Sequence, residues 1–160
     1  MEIKKGIPVS PGIVIAKCMI LDVEDFHLQP RAISPIQVDD EKKRVRNAFA
    51  DAVYQLSELE SSQNIEEGSI KDIFAVHMSF LRDRKLWKKA ETVIEKEGVG
   101  AEYAVSSVLR EIASHFKNST NKYVNERAAD IYDIERRILR ILTGKNLFDA
   151  SKLDEEVAIV

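Results

Sequence analysis

Three histidines, a single cysteine and a charged run in the last third are the side chains here that could do chemistry. His27 lies in a polar stretch and His115 near the end of a helical pattern. Neither has a second ligand at a metal-like spacing, so both read as surface residues. His77 lies within Ile73-Phe74-Ala75-Val76-His77-Met78-Ser79-Phe80-Leu81-Arg82-Asp83, on the apolar face of a helical repeat. It reads first as a half-buried histidine at a helix contact and second as a contact for a partner. A role as phosphoryl acceptor or metal ligand comes third, because nucleophilic use needs an activating neighbour and an open site, and neither is local. Cys18 sits in an apolar run, has no cysteine to pair with, and reads as a small buried hydrophobe. Arg127, Asp130, Asp133 and Arg137 step along one helical pattern at spacings of three, three and four, which allows a ladder of ion pairs. The plain reading of that ladder is surface salt bridging, weak pair by pair. No P-loop, G-x-G-x-x-G, C-x-x-C or H-E-x-x-H motif occurs.

Those residues need elements to position them, and the pattern supplies mostly helices. Ile3–Val9 reads as a strand, Ser10-Pro11-Gly12 as a turn, and Ile13–Leu21 as a second strand rich in Ile and Val. Residues 22–33 are polar, include Pro30, and read as a linker. Ser34-Pro35 opens a helix expected to run to about Ser62, with Val45, Phe49, Ala52, Leu56 and Leu59 forming a narrow apolar stripe. Such a stripe suits an antiparallel helical hairpin. Ser69 is expected to cap a second helix whose face carries Ile70, Ile73, Phe74, His77 and Leu81. Asp83 is expected to cap a third, with Leu86, Ala90, Val93 and Ile94 inward and Gly98 and Gly100 punctuating its end. A fourth helix over Ala101–Phe116 buries Ala104, Val105, Val108 and Ile112. Lys117–Asn121 is a polar break. A fifth helix over Tyr123–Thr143 carries Ile131, Ile134, Ile138 and Ile141 and ends at Gly144. Glu156–Val160 reads as a strand cut short in an apolar run, so the sheet is expected to continue in a longer parent chain.

Composition bounds the function classes. The 160 residues are 44% hydrophobic and 32% charged, with a formal net charge of −3. That modest negative charge and the lack of a basic stripe argue against a nucleic-acid partner. No apolar run approaches the length of a membrane span, and the Gly6-Ile7-Pro8 segment behind Lys4 and Lys5 is not a secretory signal. The expected location is the cytoplasm.

Three ordered segments carry a family resemblance: Gly6-Ile7-Pro8-Val9-Ser10-Pro11-Gly12-Ile13-Val14-Ile15-Ala16-Lys17, the His77 segment above, and Glu126-Arg127-Ala128-Ala129-Asp130-Ile131-Tyr132-Asp133-Ile134 followed by Arg137 and Leu139. Together they resemble enzyme I, the phosphoenolpyruvate–protein phosphotransferase of the bacterial sugar phosphotransferase system, over nearly the whole chain. The resemblance implies a mostly α fold: a bundle of two antiparallel helical hairpins over 34–144, inserted in an incomplete α/β swivelling domain. Residues 1–21 would supply that domain's first strands and 145–160 the return segment and the start of its next strand. The implied activity is transfer of a phosphoryl group from phosphoenolpyruvate, through a histidine, to the histidine of the small carrier HPr.

The family's Gly-Gly-x-Thr-Ser-His acceptor motif is absent here, so the resemblance implies no catalytic residue in this chain and no activity of the chain alone. It implies docking of HPr or an HPr-like carrier through Phe74, His77, Met78, Leu81 and Arg127. Asp130 and Asp133 would hold Arg127 beside the transferred group. It implies no cofactor or metal in this chain, magnesium in a C-terminal barrel of the parent, and a parent homodimer built by that barrel. Ser69-Ile70-Lys71-Asp72 and Ala75 stand where the family often has acidic residues, although Glu66, Glu67, Asp72 and Asp83 lie in or close to this stretch of sequence. Two other readings are a helical interaction module without phosphotransfer, and the same segment of another phosphoenolpyruvate-utilising enzyme.

Overall fold

The computed structural model describes residues 13, 15–19, 28–62, 69–118, 120, 122–144 and 157–159. Two compact units separate: Met1–Glu24 with Phe148–Val160, and Asp25–Leu147. In the first, β1 (Lys17–Met19) pairs in parallel with β2 (Val157–Ile159), in the register Lys17↔Val157, Cys18↔Ala158 and Met19↔Ile159. Parallel neighbours cannot be joined by a tight turn and need a long crossover. Here the whole second unit lies between them in the sequence. The expected strand over Ile13–Leu21 is narrower among the described residues. Ile13 and Ile15 stay outside the ladder with fully exposed side chains, so β-branched composition overstated the strand. The expected strand Ile3–Val9 and the turn Ser10-Pro11-Gly12 lie outside the described residues.

The second unit is a helical bundle of five α-helices among the described residues: α1 (Val38–Ser62), α2 (Ser69–Arg82), α3 (Arg84–Glu97), α4 (Ala101–Lys117) and α5 (Lys122–Thr143). A short 3-10 turn over Pro35–Gln37 leads into α1. Proline suits this first turn because it has no N–H to leave unpaired. The Ser34 N–H donates to Gln37 Oε1 at 2.9 Å, and the Gln37 N–H donates to the Ser34 carbonyl at 2.9 Å. The Ser34 hydroxyl also reaches Gln37 Oε1, at 3.0 Å. Asp39, Asp40 and Glu41 in the first turn of α1 complement the positive end of its dipole.

The stripe of α1 buries Val45, Phe49, Ala52 and Leu56, while Leu59, expected inward, is 37% exposed. The buried four meet Leu86, Ala90 and Ile94 of α3, and Ile131, Ile134 and Ile138 of α5 join the same core. Truncating one such aliphatic side chain to alanine costs ~2–5 kcal/mol through lost transfer energy and the cavity left behind. Ion pairs Lys42–Glu95 and Arg46–Glu91 show that α3 runs antiparallel to α1. Glu135 of α5 ties back to Ser106 and Arg110 of α4, which forms the second hairpin.

Helix boundaries follow local chemistry. Ser69 was expected before the second helix and is its first residue. Asp83 separates α2 from α3 and accepts the Lys85 N–H on its carboxylate at 2.9 Å. Gly98 adopts φ 62°, the left-handed conformation that ends a helix, and its N–H reaches the Ile94 carbonyl at 3.0 Å. Gly144 ends α5 in the same way at φ 67°. The supposed linker is partly ordered against this corner. Ala32 forms an antiparallel bridge with Val99, with Ile33 N–H to Gly98 O at 2.8 Å and Gly100 N–H to Arg31 O at 3.0 Å. A Cβ on Gly100 would stand 2.9 Å from Arg31 Nη2, so a larger residue there would push the guanidinium aside.

Glu41 gathers the chain ends of the bundle. It is 6% exposed, and its Oε1 accepts Arg31 Nη2 at 2.7 Å while its Oε2 accepts Arg44 Nη1 at 2.7 Å and the buried Ala101 N–H at 2.8 Å. Burial pushes this carboxyl up, but the Ala101 amide, Arg31 and Arg44 outweigh it and hold it below its ordinary range. Arg44 also reaches Glu102 and the Leu142 carbonyl, the latter at 3.0 Å. One carboxylate and one guanidinium thus tie the entering segment, the starts of α1 and α4 and the last turn of α5.

Candidate functional site

The flank where α2 meets α5 collects the polar side chains of interest. On α2, Phe74 and His77 are half-buried, Met78 and Leu81 buried. The i, i+3, i+4 and i+7 spacing places all four on one side of the helix. On α5, Arg127 and Asp130 lie one turn apart, and Arg127 Nη1 donates to Asp130 Oδ2 at 3.0 Å. His77 Nε2 lies 3.8 Å from Asp130 Oδ1, beyond hydrogen-bond reach, and is buried without a hydrogen-bond partner. The fold therefore brings His77, Asp130 and Arg127 into one cluster, with the carboxylate in the middle.

Beside this cluster a groove of about 380 Å³ runs between α1 and α2. It is lined by Ser57 and Glu60 on one side and Phe74, Ala75, Met78, Ser79 and Arg82 on the other. Sequence patterning did not single out Ser57, Glu60, Ser79 or Arg82. Arg82 had a signal, as a cation in the last turn of α2. The other three are small or charged residues on exposed helix faces, and only packing brings them together.

Several expectations change. Leu81 was grouped with the docking residues, but it is 2% exposed and packs in the core. It seats α2 rather than facing a partner. Asp133 was expected to support Arg127, yet it bonds Arg136, three residues on. Arg137, the expected last rung of the ladder, is half-buried with Nη1 unpartnered. Burial and the neighbouring Arg140 cation push its pKa down, and Asp133 only partly offsets them. Asp83, counted among the nearby acids, spends its carboxylate on the cap of α3. Glu66 and Glu67 lie outside the described residues.

Among the described residues, no group of three or more His, Cys, Asp or Glu side chains could hold a metal ion, and no helix is long and apolar enough to cross a membrane. Chemically, the cluster offers a guanidinium and an imidazole on either side of a carboxylate. That arrangement can meet an anion and seat an apolar or cationic surface. It does not contain an activated nucleophile.

Comparison with known proteins identifies the family. The phosphoenolpyruvate-protein phosphotransferase of Bacillus sp. (strain S) is 34% identical over 156 residues, 97% of this chain and 27% of that protein. The Bacillus subtilis (strain 168) protein of the same name is 33% identical over 161 residues, 100% of this chain and 28% of that one. The chain thus spans about a quarter of the length of these curated relatives. Among solved structures, the NMR solution structure of an Enzyme I protein superposes with a TM-score of 0.75 at 30% identity, covering 94% of this chain and 61% of that one. The N-terminal domain of Enzyme 1 – Nitrogen shares the fold, with a TM-score of 0.73 at 21% identity over 93% of this chain and 60% of that one. The profile of the PEP-utilising enzyme, N-terminal family matches residues 5–127, and the chain belongs to that family.

Proposed function

We propose that this chain is the carrier-docking part of a phosphoenolpyruvate–protein phosphotransferase, and that its helical unit receives HPr or an HPr-like carrier on the α2–α5 flank. The observation that carries the reading is the Arg127–Asp130 pair standing against His77 of α2, beside the groove floored by Phe74 and Met78. An apolar helix face with an adjacent guanidinium suits a small protein that presents a phosphohistidine. The side chains bind the apolar surface, and Arg127 meets the phosphoryl oxygens as charge shifts between donor and acceptor. His77 and Phe74 make the contact, and Asp130 orients the arginine.

In this reading the phosphoryl-accepting histidine and the phosphoenolpyruvate site belong to other parts of the parent. So does magnesium. The parent works in the cytoplasm as a homodimer, and the chain alone is inactive.

The test is a titration of isotopically labelled HPr with this chain. The reading expects resonance shifts centred on the carrier's active histidine, weakened by Phe74→Ala and Arg127→Ala. No shifts at high chain concentration overturns it. In the full-length parent, Arg127→Ala should slow transfer to the carrier more than autophosphorylation by phosphoenolpyruvate; equal slowing of both half-reactions rejects the placement of Arg127. The breadth of the matched family, PEP-utilising enzymes as a class, favours one second reading, the corresponding segment of another such enzyme. An ATP-binding domain in the adjoining coding sequence would select it.

A further inference from the structure

Asp130 stands between Arg127 and His77 and hydrogen-bonds only the first of these two. Its Oδ2 accepts Arg127 Nη1 at 3.0 Å, while its Oδ1 is 3.8 Å from His77 Nε2. That nitrogen is buried and has no hydrogen-bond partner. An unsatisfied buried donor or acceptor costs more than an ordinary hydrogen bond returns, so His77 holds an unmet demand for a partner. Closing the gap takes a small rotation of the Asp130 carboxylate toward α2. The grip of Arg127 on the other oxygen opposes that rotation.

We infer that Asp130 is a two-position carboxylate: clamped on Arg127 at rest, and transferred to His77 Nε2 when Arg127 turns to an external anion. His77 is then a positioning residue for Arg127, acting through Asp130. By giving the carboxylate an alternative partner, it lowers the cost of releasing the guanidinium onto a phosphoryl oxygen. The coupling is reciprocal, since whatever draws Arg127 away strengthens His77–Asp130 and whatever tightens His77–Asp130 frees Arg127. The inference rests on the proposed role of Arg127 for its biological meaning. Its physical content, competition of two side chains for one carboxylate, is testable without any carrier.

The experiment uses the whole chain labelled with 15N-histidine, and the His77 ring signals are assigned from the spectrum of His77→Gln. In the wild type the Nε2 proton should exchange rapidly with water. In Arg127→Gln, Asp130 is released, and exchange of that proton should slow about tenfold, the factor that one net hydrogen bond gives. Its nitrogen shift should move with it. In Arg127→Gln/Asp130→Asn the response should disappear. Circular dichroism checks that each variant folds, and Arg127→Met, which keeps the apolar stem and loses the cation, replaces Arg127→Gln should that variant unfold. A His77 ring unmoved by loss of Arg127, or one that responds equally with Asp130→Asn, overturns the inference. Neither result bears on the docking reading, which the carrier titration decides separately.

Discussion

Replacing Glu41 by alanine should unsettle the bundle at the corner where its chain ends meet. Three donors converge on the two carboxylate oxygens: Arg31 Nη2, Arg44 Nη1 and the Ala101 N–H. Alanine removes both acceptor oxygens, so all three donors lose their partner. The two arginine side chains are 52% and 36% exposed and can turn to water, so each lost pair is worth only about 0.5 kcal/mol. The Ala101 amide is buried, and leaving it unsatisfied costs ~1–3 kcal/mol. The total is roughly 2–4 kcal/mol, and for a unit of this size each kcal/mol lowers Tm by about 3–5 °C. Thermal unfolding followed by circular dichroism at pH 7 should therefore show Tm lower by about 10 °C.

The pH dependence supplies a second check. The folded-state pKa of Glu41 is held below its ordinary value, so the unfolded chain binds the proton more readily. The contribution is full above the unfolded carboxyl value of about 4.3 and is lost as pH falls through the folded value. The gap between wild type and Glu41→Ala should shrink in acid. A gap under about 2 °C at pH 7, or one that persists unchanged in acid, refutes the reasoning.

Three other substitutions probe the same framework. Asp83→Ala removes the cap that receives the Lys85 N–H; a loss of ~1 kcal/mol should appear as a lower urea midpoint and faster amide exchange in the first turn of α3. Gly100→Ala should lower Tm by displacing the Arg31 guanidinium, and the effect should be smaller in an Arg31→Ala background; equal effects in both backgrounds would discard the steric account. Glu135→Ala should weaken the α4–α5 hairpin. The buried carboxylate accepts both Ser106 Oγ at 2.5 Å and Arg110 Nε at 2.7 Å on one oxygen, so a loss of ~2 kcal/mol in denaturant titrations is expected.

The helices were readable because their signals are local. Asp83 sits one residue before a helix, Gly98 and Gly144 one residue after, and the stripe Val45–Phe49–Ala52–Leu56 repeats within a few turns. Leu59 continued that repeat and still stayed exposed, since periodicity marks a face without saying how far along it a neighbour reaches. The ladder on α5 misled for a related reason. Spacing allows Asp133 to meet several arginines, and only the rotation of each side chain about the helix decides. Arg136 points out to meet it, while Arg137 is drawn into the flank. His77 was recognisable as half-buried, but its closeness to Asp130 depends on α2 packing against α5, a contact between distant parts of the sequence. Glu41 carried little signal. Arg44 lies three residues on, but its other partners lie ten and sixty residues away, and before folding it is one acid among three in a first turn.

The corner built by Glu41 and Arg44 also bears on the order of events during folding. β1 and β2 are neighbours in space but are separated in sequence by the whole bundle. If they paired first, the chain between them would close as one long open loop, and the entropy lost grows with the logarithm of its length. When the bundle forms first from its local hairpins, the carboxylate takes Arg31 and the guanidinium takes the Leu142 carbonyl. The two strands are then tethered to neighbouring points, and the loop still to be closed is only the short segments outside that corner. A network that looks like a static support thus acts as a clasp, turning a slow long-range encounter between strands into a nearly local one.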